Sequence, residues 1–304
     1  MPSIEQETAH QVYAERLLDT GYCIIPDLMR VTRVDALAGD LAPHFAATPP
    51  SEGPFYGCDT RRFGGLLTRS PHAAAFVQHE LILAIVETVL GPWCDRIALN
   101  LTQAIELMPD SVEQVPHRDQ DMWPCSRLVA SQHAVEFLIN VMWPFTPYTA
   151  ANGATRIWPG SHRRQDEPLF DPADALAAEM APGSALLFLG STLHAGGANR
   201  TNAPRRGMIV SYSLGWLKPY ELQWLAYPPD VAKQFSPELA ALAGYRVHRP
   251  NLGNVEGRCP SALLNGSGTS RGAVDALGPE QEALIEQFRA GTLTFEGERR
   301  ADAA

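Results

Sequence analysis

The chain has 304 residues, with 24 Lys+Arg against 34 Asp+Glu, a formal net charge of −10 and a charged share of 19%. This balance argues against a strongly basic nucleic-acid-binding protein. The apolar share of 45%, together with 24 Gly and 25 Pro, favours a folded, turn-rich protein over a disordered chain or a helical bundle. We therefore expect many strands joined by tight turns, and no nucleic-acid partner.

Cysteine usage and the first residues bear on the cellular compartment. The five cysteines contain no CxxC pair, and their odd number argues against a fully paired disulfide framework. Residues 1–21 carry four acidic side chains and no long apolar run, so they match neither a signal peptide nor a transit peptide. No stretch approaches the ~20 apolar residues of a membrane span. We expect a cytoplasmic protein with reduced thiols and no membrane partner.

Three amphipathic helices and one short strand are predicted before residue 92. Apolar residues at helical spacing indicate the helices, and Gly21 and Gly91 mark two of their ends. The helices are Ile4–Leu18, Val34–His44 and His79–Leu90, and the strand is Tyr22–Pro26. The pattern predicts a loop at Thr48–Pro54, and it places Tyr56–Gly57 and Thr60–Arg62 in a Gly-rich loop, a candidate for closing over a substrate.

From Ile97 onward the pattern changes to short β-type runs separated by turn signals. The predicted strands are Ile97–Leu101, Ala104–Met108, Val135–Val141, Ala185–Leu189 and Met208–Tyr212. This spacing predicts a β-sandwich or a barrel of jelly-roll type, with the preceding helices against one face. After Trp216 the chain is Pro-rich and irregular until a last predicted helix at Gly278–Ala290.

A set of two histidines and one carboxylate is the most specific chemical feature. His117 and Asp119 form a His-x-Asp pair after a predicted strand, and His194 follows another strand 75 residues after Asp119. Residues i and i+2 of an extended segment point to the same side. With one distant histidine, such a pair can occupy one face of an octahedral iron, as in non-haem Fe(II) oxygenases. A surface hydrogen-bonding pair is the alternative interpretation, and zinc would favour a tetrahedral site.

A carboxylate-binding arginine fits the same region. Pro204-Arg205 leads into the strand that follows His194, and an arginine on that strand can point into the same barrel. The planar guanidinium binds a carboxylate through two hydrogen bonds. The far end of a dicarboxylic co-substrate such as 2-oxoglutarate requires such a partner.

Four ordered motifs together resemble the phytanoyl-CoA dioxygenase-like Fe(II)/2-oxoglutarate oxygenases, in their natural-product biosynthesis branch. The motifs are Gly21–Pro26, His117–Asp119, Asn152–His162 and Pro182–Arg205. The resemblance implies a mainly β fold with flanking helices, built on a double-stranded β-helix, which is a jelly-roll or cupin-like barrel.

The resemblance also implies roles for single residues. The implied iron ligands are His117, Asp119 and His194, with 2-oxoglutarate and O2 as co-substrates. Arg205, eleven residues after His194, matches the anchor of 2-oxoglutarate in preference to Arg206. Gln114 and Thr155 resemble further contacts of this co-substrate.

The implied reaction is oxidation, most simply hydroxylation, of an unactivated C–H bond, with release of succinate and CO2. Because Asp119 stands where halogenating relatives have a small residue, oxygenation is favoured over chlorination. A small, largely apolar secondary metabolite suits the Trp- and Met-containing segments better than a coenzyme A thioester. Two alternatives stay open: a cupin-like metal-binding isomerase or metabolite-binding module without oxygenase activity, which would not need Arg205, and an amino-acid hydroxylase, which would need a further inward charged pair.

We expect one oxygenase domain over residues 1–304. Its predicted parts are a helical N-terminal part (1–92), a jelly-roll core (93–217), and an irregular C-terminal cap and tail (218–304). The segment Trp216–Leu264 has no period of its own, so it must pack on something else, at the mouth of the site or in a dimer contact. The related enzymes suggest a homodimer.

Overall fold

A computed structural model describes residues 4–126, 135–164, 170–266 and 272–293, with side chains from residue 9 onward. The chain divides into two compact units, Met1–Gly244 and Tyr245–Ala304. The larger unit contains every strand described below, and it is mainly β with flanking helices, as predicted. The division of residues 1–304 into three parts of a single domain stays a prediction.

Helices occupy most of the chain before residue 91 and cover one side of the sheet. They are α1 (Ile4–Thr20), α2 (Val31–Ala47), α3 (Leu66–Arg69), α4 (Ala73–Val77) and α5 (Glu80–Leu90). The three predicted helices are confirmed as α1, α2 and α5. In α2 the buried positions recur at a spacing of three and four residues, which makes one apolar stripe. Among the described residues, no helix combines the length and the apolar content needed to traverse a bilayer.

In the described ranges, nine strands form two antiparallel sheets. They are β1 (Tyr22–Ile25), β2 (Thr60–Phe63), β3 (Ile97–Leu107), β4 (Leu138–Pro144), β5 (Thr155–Ile157), β6 (Leu176–Ala177), β7 (Ala185–Leu189), β8 (His194–Gly196) and β9 (Arg205–Leu214). The large sheet has the order β1-β7-β4-β9-β3-β2, and the small sheet has the order β6-β5-β8.

The two faces of the large sheet bury different clusters. On β9, Met208, Val210 and Tyr212 pack with the helices, whereas Ile209 packs in a second cluster with residues of the small sheet such as Ile157. Alternate residues of a strand point to opposite faces, so one strand serves both clusters. The space between the two sheets is therefore the interior of the jelly-roll.

Three strand predictions and one loop prediction need correction. Ile97–Leu101 and Ala104–Met108 are one strand, β3, because the polar residues between them are paired in the ladder and do not turn. The predicted strand at Val135–Val141 begins three residues later and continues to Pro144. Thr60–Arg62 is not a loop but lies in β2, since this segment pairs with β3 and an ion pair joins Arg61 to Glu106.

Short helices replace the irregular segment predicted after Trp216. They are Gln223–Ala226, Pro229–Ala232 and Pro237–Leu242, all in the larger unit. The smaller unit contains Ser261–Leu264 and Pro279–Ala290, and the second of these confirms the last predicted helix.

Gly207 lies at a point where β9 and the residues around it pack closely. It pairs with Ile105 on one side and Pro144 on the other. A Cβ atom at this position would lie 2.7 Å from the Trp143 carbonyl oxygen and still closer to the Tyr148 hydroxyl. We expect Gly207→Ala to lower the free energy of unfolding by about 1–3 kcal/mol, because the backbone must shift to relieve the overlap. Urea unfolding followed by circular dichroism measures this change.

Gly39→Ala is the matched control for Gly207→Ala. Gly39 lies in α2, and a Cβ atom there meets nothing within 4 Å. Alanine is the better helix former, so this variant should be neutral or slightly more stable. Equal effects of the two substitutions would contradict the close approach of β9 to Trp143.

Candidate metal centre

His117 and His194 are joined through their backbones. The His117 N–H donates to the His194 carbonyl oxygen at 2.9 Å, and the His194 N–H donates to the His117 carbonyl oxygen at 3.0 Å. Asp119 follows two residues later as the first residue of a 3₁₀ turn, Asp119–Met122. The expected extended His-x-Asp segment is therefore present up to Arg118, and it ends at Asp119.

The three side chains converge on one point. Each of His117, Asp119 and His194 offers a ligand atom, and these atoms lie within 4.8 Å of one another. The His117 Nε2 is 3.4 Å from Asp119 Oδ1, and the His194 Nε2 is 3.6 Å from Asp119 Oδ2. Among the described residues, this is the only group of three or more His, Cys, Asp or Glu side chains close enough to hold a metal ion.

Both imidazoles are held in the orientation that a metal ligand needs. The His117 Nδ1 is 2.9 Å from the Val115 carbonyl oxygen, and the His194 Nδ1 is 3.1 Å from the Thr192 carbonyl oxygen. A carbonyl only accepts, so each Nδ1 carries the proton and each Nε2 keeps its lone pair towards Asp119. Burial, assisted by the nearby His117, lowers the pKa of His194 to about 4, against the opposing effect of Asp119. His194 is therefore neutral at pH 7.

Asp119 is ionised although it is largely enclosed. Desolvation acts to raise its pKa, but His194 and His117, together with a hydrogen bond from the Asn140 side chain, outweigh this effect and leave the pKa below its usual range. The set therefore offers two imidazole nitrogens and one carboxylate oxygen as ligands. This donor set fits a non-haem Fe(II) centre with open coordination positions.

The three side chains line a cavity between the two sheets. Its volume is about 780 Å³ when the solvent space at its open mouth is included. Its walls come from both sheets. The lining includes Leu101, Gln103 and Ile105 of β3, Leu138, Asn140 and Met142 of β4, Arg205 and Ile209 of β9, and Thr155 of β5. The three candidate ligands and Arg205 therefore share one cavity.

Strand parity separates the two neighbouring arginines. Arg205 is 4% exposed, lines the cavity and lies over the Tyr148 ring at 4.2 Å. Its Nε and Nη1 atoms have no hydrogen-bond partner in the described part of the chain. Arg206 points to the other face of β9, where it pairs with Glu106 at 2.6 Å. Of the two, Arg205 alone is available to a ligand in the cavity.

Gln114 and Thr155 line the same cavity in different states. Thr155 is buried on β5 opposite Gly196. The Gln114 amide is already engaged: its Nε2 donates to the Phe55 carbonyl oxygen at 3.1 Å, and its Oε1 accepts from the Gly196 N–H at 3.2 Å. Gln114 thus connects the loop before β2 to β8. The predicted roles of both residues stay predictions.

Arg62 was not singled out as a site residue from the sequence. On β2 it pairs with Ile105, so its side chain points into the cavity, where its Nη1 donates to Gln103 Oε1 at 3.2 Å. Burial and the neighbouring Arg205 lower the pKa of Arg62 to about 10, which leaves it cationic at neutral pH. The Gly-rich surroundings indicated a loop, and Thr60–Phe63 has no alternation of apolar and polar residues that would have indicated a strand.

Tyr220 lies in the segment Trp216–Leu264, predicted to reach the mouth of the site or a dimer contact, and it lines the cavity. Asn100 is the extra residue of a β-bulge in β3, between the pairs at Leu99 and Leu101. Its Oδ1 accepts from the Tyr220 N–H at 2.8 Å, and its Nδ2 donates to Ser211 Oγ at 3.1 Å. Through Asn100, the bulge therefore holds the segment after β9 at the mouth of the cavity. The Tyr220 hydroxyl meets the Tyr56 hydroxyl there.

Glu136 is a buried carboxyl next to the segment that carries His194. Its two oxygens accept from Ser191 Oγ at 2.7 and 2.8 Å. The Ser191 carbonyl oxygen in turn accepts from Arg118 Nε at 2.9 Å, which ties the two ligand-bearing segments together. Burial raises the pKa of Glu136 to about 7, although the hydrogen bonds from Ser191 oppose this.

A His/Asp/His set in the interior of a jelly-roll is the arrangement of the non-haem iron oxygenases. The chain belongs to the phytanoyl-CoA dioxygenase (PhyH) family, whose model matches residues 17–207. It is 33% identical over 211 residues to the dioxygenase FrzG of Cladobotryum sp, a match that spans 66% of this chain and 68% of FrzG. It is 30% identical over 198 residues to the multifunctional dioxygenase ausE of Emericella nidulans, spanning 61% of this chain and 66% of ausE. The predicted family and enzyme class are confirmed.

Solved structures show the same fold. The non-heme alpha-ketoglutarate-dependent epimerase SnoN from nogalamycin biosynthesis superposes with a TM-score of 0.56 at 18% identity, over 72% of this chain and 89% of SnoN. The carbocyclase SnoK from the same biosynthesis gives 0.53 at 17% identity, over 69% of this chain and 86% of SnoK. SnoN has been crystallised with Fe3+, alpha-ketoglutarate and nogalamycin RO.

The raised pKa of Glu136 predicts how stability depends on pH. Below its usual value of 4.5 the carboxyl is protonated in both the folded and the unfolded protein, and its contribution is fully present. As the pH rises through about 7, ionisation favours the unfolded chain, so up to about 3 kcal/mol of stability is lost. Urea unfolding at pH 5 and pH 8 measures the loss.

Glu136→Gln is the comparison, because glutamine has the same shape and stays neutral. Its stability relative to the wild type should improve between pH 5 and pH 8, over the window in which Glu136 ionises. Parallel stability curves for the two proteins would show that Glu136 is not the buried titrating group.

Proposed function

We propose that this protein is an Fe(II)- and 2-oxoglutarate-dependent oxygenase that hydroxylates a C–H bond of a small, largely apolar secondary metabolite. One observation carries the proposal: a single cavity holds both the His/Asp/His set and the buried guanidinium of Arg205, whose Nε and Nη1 have no partner in the described ranges. A buried cation without a counter-ion is costly, so the site is built for an anion.

Iron would be held by His117 Nε2, His194 Nε2 and a carboxylate oxygen of Asp119. The backbone pairing of the two histidines fixes their spacing, and the Val115 and Thr192 carbonyls fix their tautomers. The two imidazoles are thus already spaced and oriented to bind a metal ion. A neutral His194 needs to lose no proton at pH 7 to become a ligand.

The second carboxylate of 2-oxoglutarate would be held by Arg205. Arg62 supports this role, since two guanidinium groups in one cavity repel each other and an anion relieves the repulsion. Thr155 lies buried on the opposite wall, where its hydroxyl can donate to the same ligand. Gln114 would act through the loop it anchors, because its amide is engaged by Phe55 and Gly196.

When bound, the iron and 2-oxoglutarate would supply an oxidant derived from O2, with 2-oxoglutarate leaving as succinate and CO2. The chain contributes positioning and the exclusion of water. Apolar side chains near the triad suit an apolar metabolite; they are Leu101, Met122, Leu138 and Phe188. Because SnoN is an epimerase and SnoK a carbocyclase on the same fold, hydroxylation is the part of this proposal that the fold does not decide.

The alternative functions fit the cavity less well. An isomerase or a metabolite-binding module without oxygenase activity has no use for the buried guanidinium of Arg205, whose Nε and Nη1 lack partners among the described residues. An amino-acid hydroxylase needs a carboxylate for the substrate ammonium, and among the described lining residues Asp119 is the only one. A homodimer, a cytoplasmic location and the absence of nucleic-acid and membrane partners stay predictions.

Conversion of 2-oxoglutarate to succinate tests the proposal. Purified protein with Fe(II) and O2 should form succinate, and we expect His117→Ala, Asp119→Asn and His194→Ala to lower the rate by about 100-fold or more, since losing a ligand costs more than losing a residue that supports one. Asp121→Asn is the control, because Asp121 lies exposed in the same turn. Near-wild-type conversion by Asp119→Asn would refute the metal assignment.

The adjacent arginines test the co-substrate assignment. Arg205→Ala should weaken 2-oxoglutarate binding by about 2–5 kcal/mol, because the carboxylate loses a buried charged partner. Arg205→Lys should recover only part of this, since lysine lacks the planar fork. Arg206→Ala should leave the affinity unchanged while it lowers stability through Glu106. Affinity is measured by titrating 2-oxoglutarate into the anaerobic Fe(II) protein, and the opposite ranking would assign the role to Arg206.

A further inference from the structure

Asn140 is a polar residue inside a fully buried strand. All seven residues of β4 are buried, and Asn140 is 1% exposed between Ile139 and Val141. Its neighbours in the large sheet are Ser211 on β9 and Phe188 on β7. The side chain faces the cavity. A buried amide in this position calls for a specific partner.

That partner is Asp119. The Asn140 Nδ2 donates to Asp119 Oδ2 at 2.8 Å. Because a carboxylate only accepts hydrogen bonds, the amide must present its NH₂ group to Asp119, and this fixes its orientation. The Asn140 Oδ1 is then left without a hydrogen-bond partner in the part of the chain that the structure describes. An unpaired buried acceptor costs free energy, and the fold retains the amide donor to Asp119 despite this cost.

The histidines do not by themselves distinguish the two oxygens of Asp119. Oδ1 lies 3.4 Å from His117 Nε2, and Oδ2 lies 3.6 Å from His194 Nε2. Either oxygen, or both, could face a metal between the imidazoles. The hydrogen bond from Asn140 reaches Oδ2 alone, so it makes the two oxygens unequal.

We propose that Asn140 is a positioning residue: its hydrogen bond keeps Oδ2 of Asp119 away from the metal and leaves Oδ1 as the single metal-binding oxygen. The inference rests on the proposed function, because it matters through the number of open positions. A six-coordinate metal held by three protein atoms would leave three positions for 2-oxoglutarate and O2. If both oxygens of Asp119 bound the metal, one of these positions would be lost.

The test compares Asn140→Leu with the wild type in three measurements: Co(II) affinity, the visible spectrum of the Co(II) protein, and 2-oxoglutarate affinity of the anaerobic Fe(II) protein. We expect 2-oxoglutarate affinity to fall roughly 10-fold or more, because the co-substrate must then compete with the second Asp119 oxygen for a position on the metal. Co(II) affinity should change much less. The Co(II) absorption bands should change, because the second Asp119 oxygen would replace a solvent ligand of the metal.

Two further variants keep the test decisive. Asn140→Ser replaces the leucine variant if that variant fails to fold, because the small polar side chain of serine does not reach Asp119. It should give the results expected for Asn140→Leu. Ser213→Ala is the matched control: Ser213 is fully buried on β9, is paired with Leu138 and lies outside the cavity lining. It should leave all three measurements unchanged.

The outcomes separate this inference from the proposed function. Wild-type 2-oxoglutarate affinity and an unchanged Co(II) spectrum in Asn140→Leu would overturn the inference. A parallel loss of Co(II) and 2-oxoglutarate affinity would overturn it too, because Asn140 would then support metal binding without selecting an oxygen. If the wild type binds Co(II) but not 2-oxoglutarate, the proposed function fails, and the Co(II) spectra of the wild type and the variant still decide the role of Asn140.

Discussion

The site depends on one pair of backbone hydrogen bonds, those that join His117 to His194. They connect a segment that precedes a 3₁₀ turn to the first residue of β8, far apart in the chain. Once the two backbones are paired, the carbonyls of Val115 and Thr192, each two residues before its histidine, set both imidazoles in the same tautomer. The metal-binding geometry is therefore a property of the backbone, and the side chains follow from it.

Charge is the second constraint on the cavity. Arg205 and Arg62 bring two positive charges into an enclosed space in which Asp119 is the only described carboxylate of the lining. Desolvation disfavours this arrangement, and the lowered pKa of Arg62 reflects it. A metal ion adds further positive charge. In the proposed function, an anionic co-substrate would compensate this positive charge, with one carboxylate held at the buried Arg205.

Polar residues in buried strands mark the positions that serve the site. Asn140 in β4 and Asn100 in β3 each interrupt an apolar run, and each makes a specific hydrogen bond, to Asp119 and to the Tyr220 backbone. A strand buried on both faces gives no stability reason for an amide. Such interruptions were visible in the sequence, but their partners were not, because neither Asp119 nor Tyr220 lies near them in the chain. The same separation hid the pairing of β2, which turns Arg62 inward.

The sequence by itself determined the family, the mainly β class and the three residues His117, Asp119 and His194 as candidates, because a short motif and a downstream histidine carry their own spacing. The spacing of eleven residues after His194, through the resemblance to the family, also made Arg205 the better candidate than Arg206. Only the tertiary structure decided that Arg62, Asn140 and Tyr220 share the cavity and that the Gln114 amide is already engaged. These contacts depend on strand register and on a β-bulge, and register is set by packing between distant segments, which local sequence does not encode.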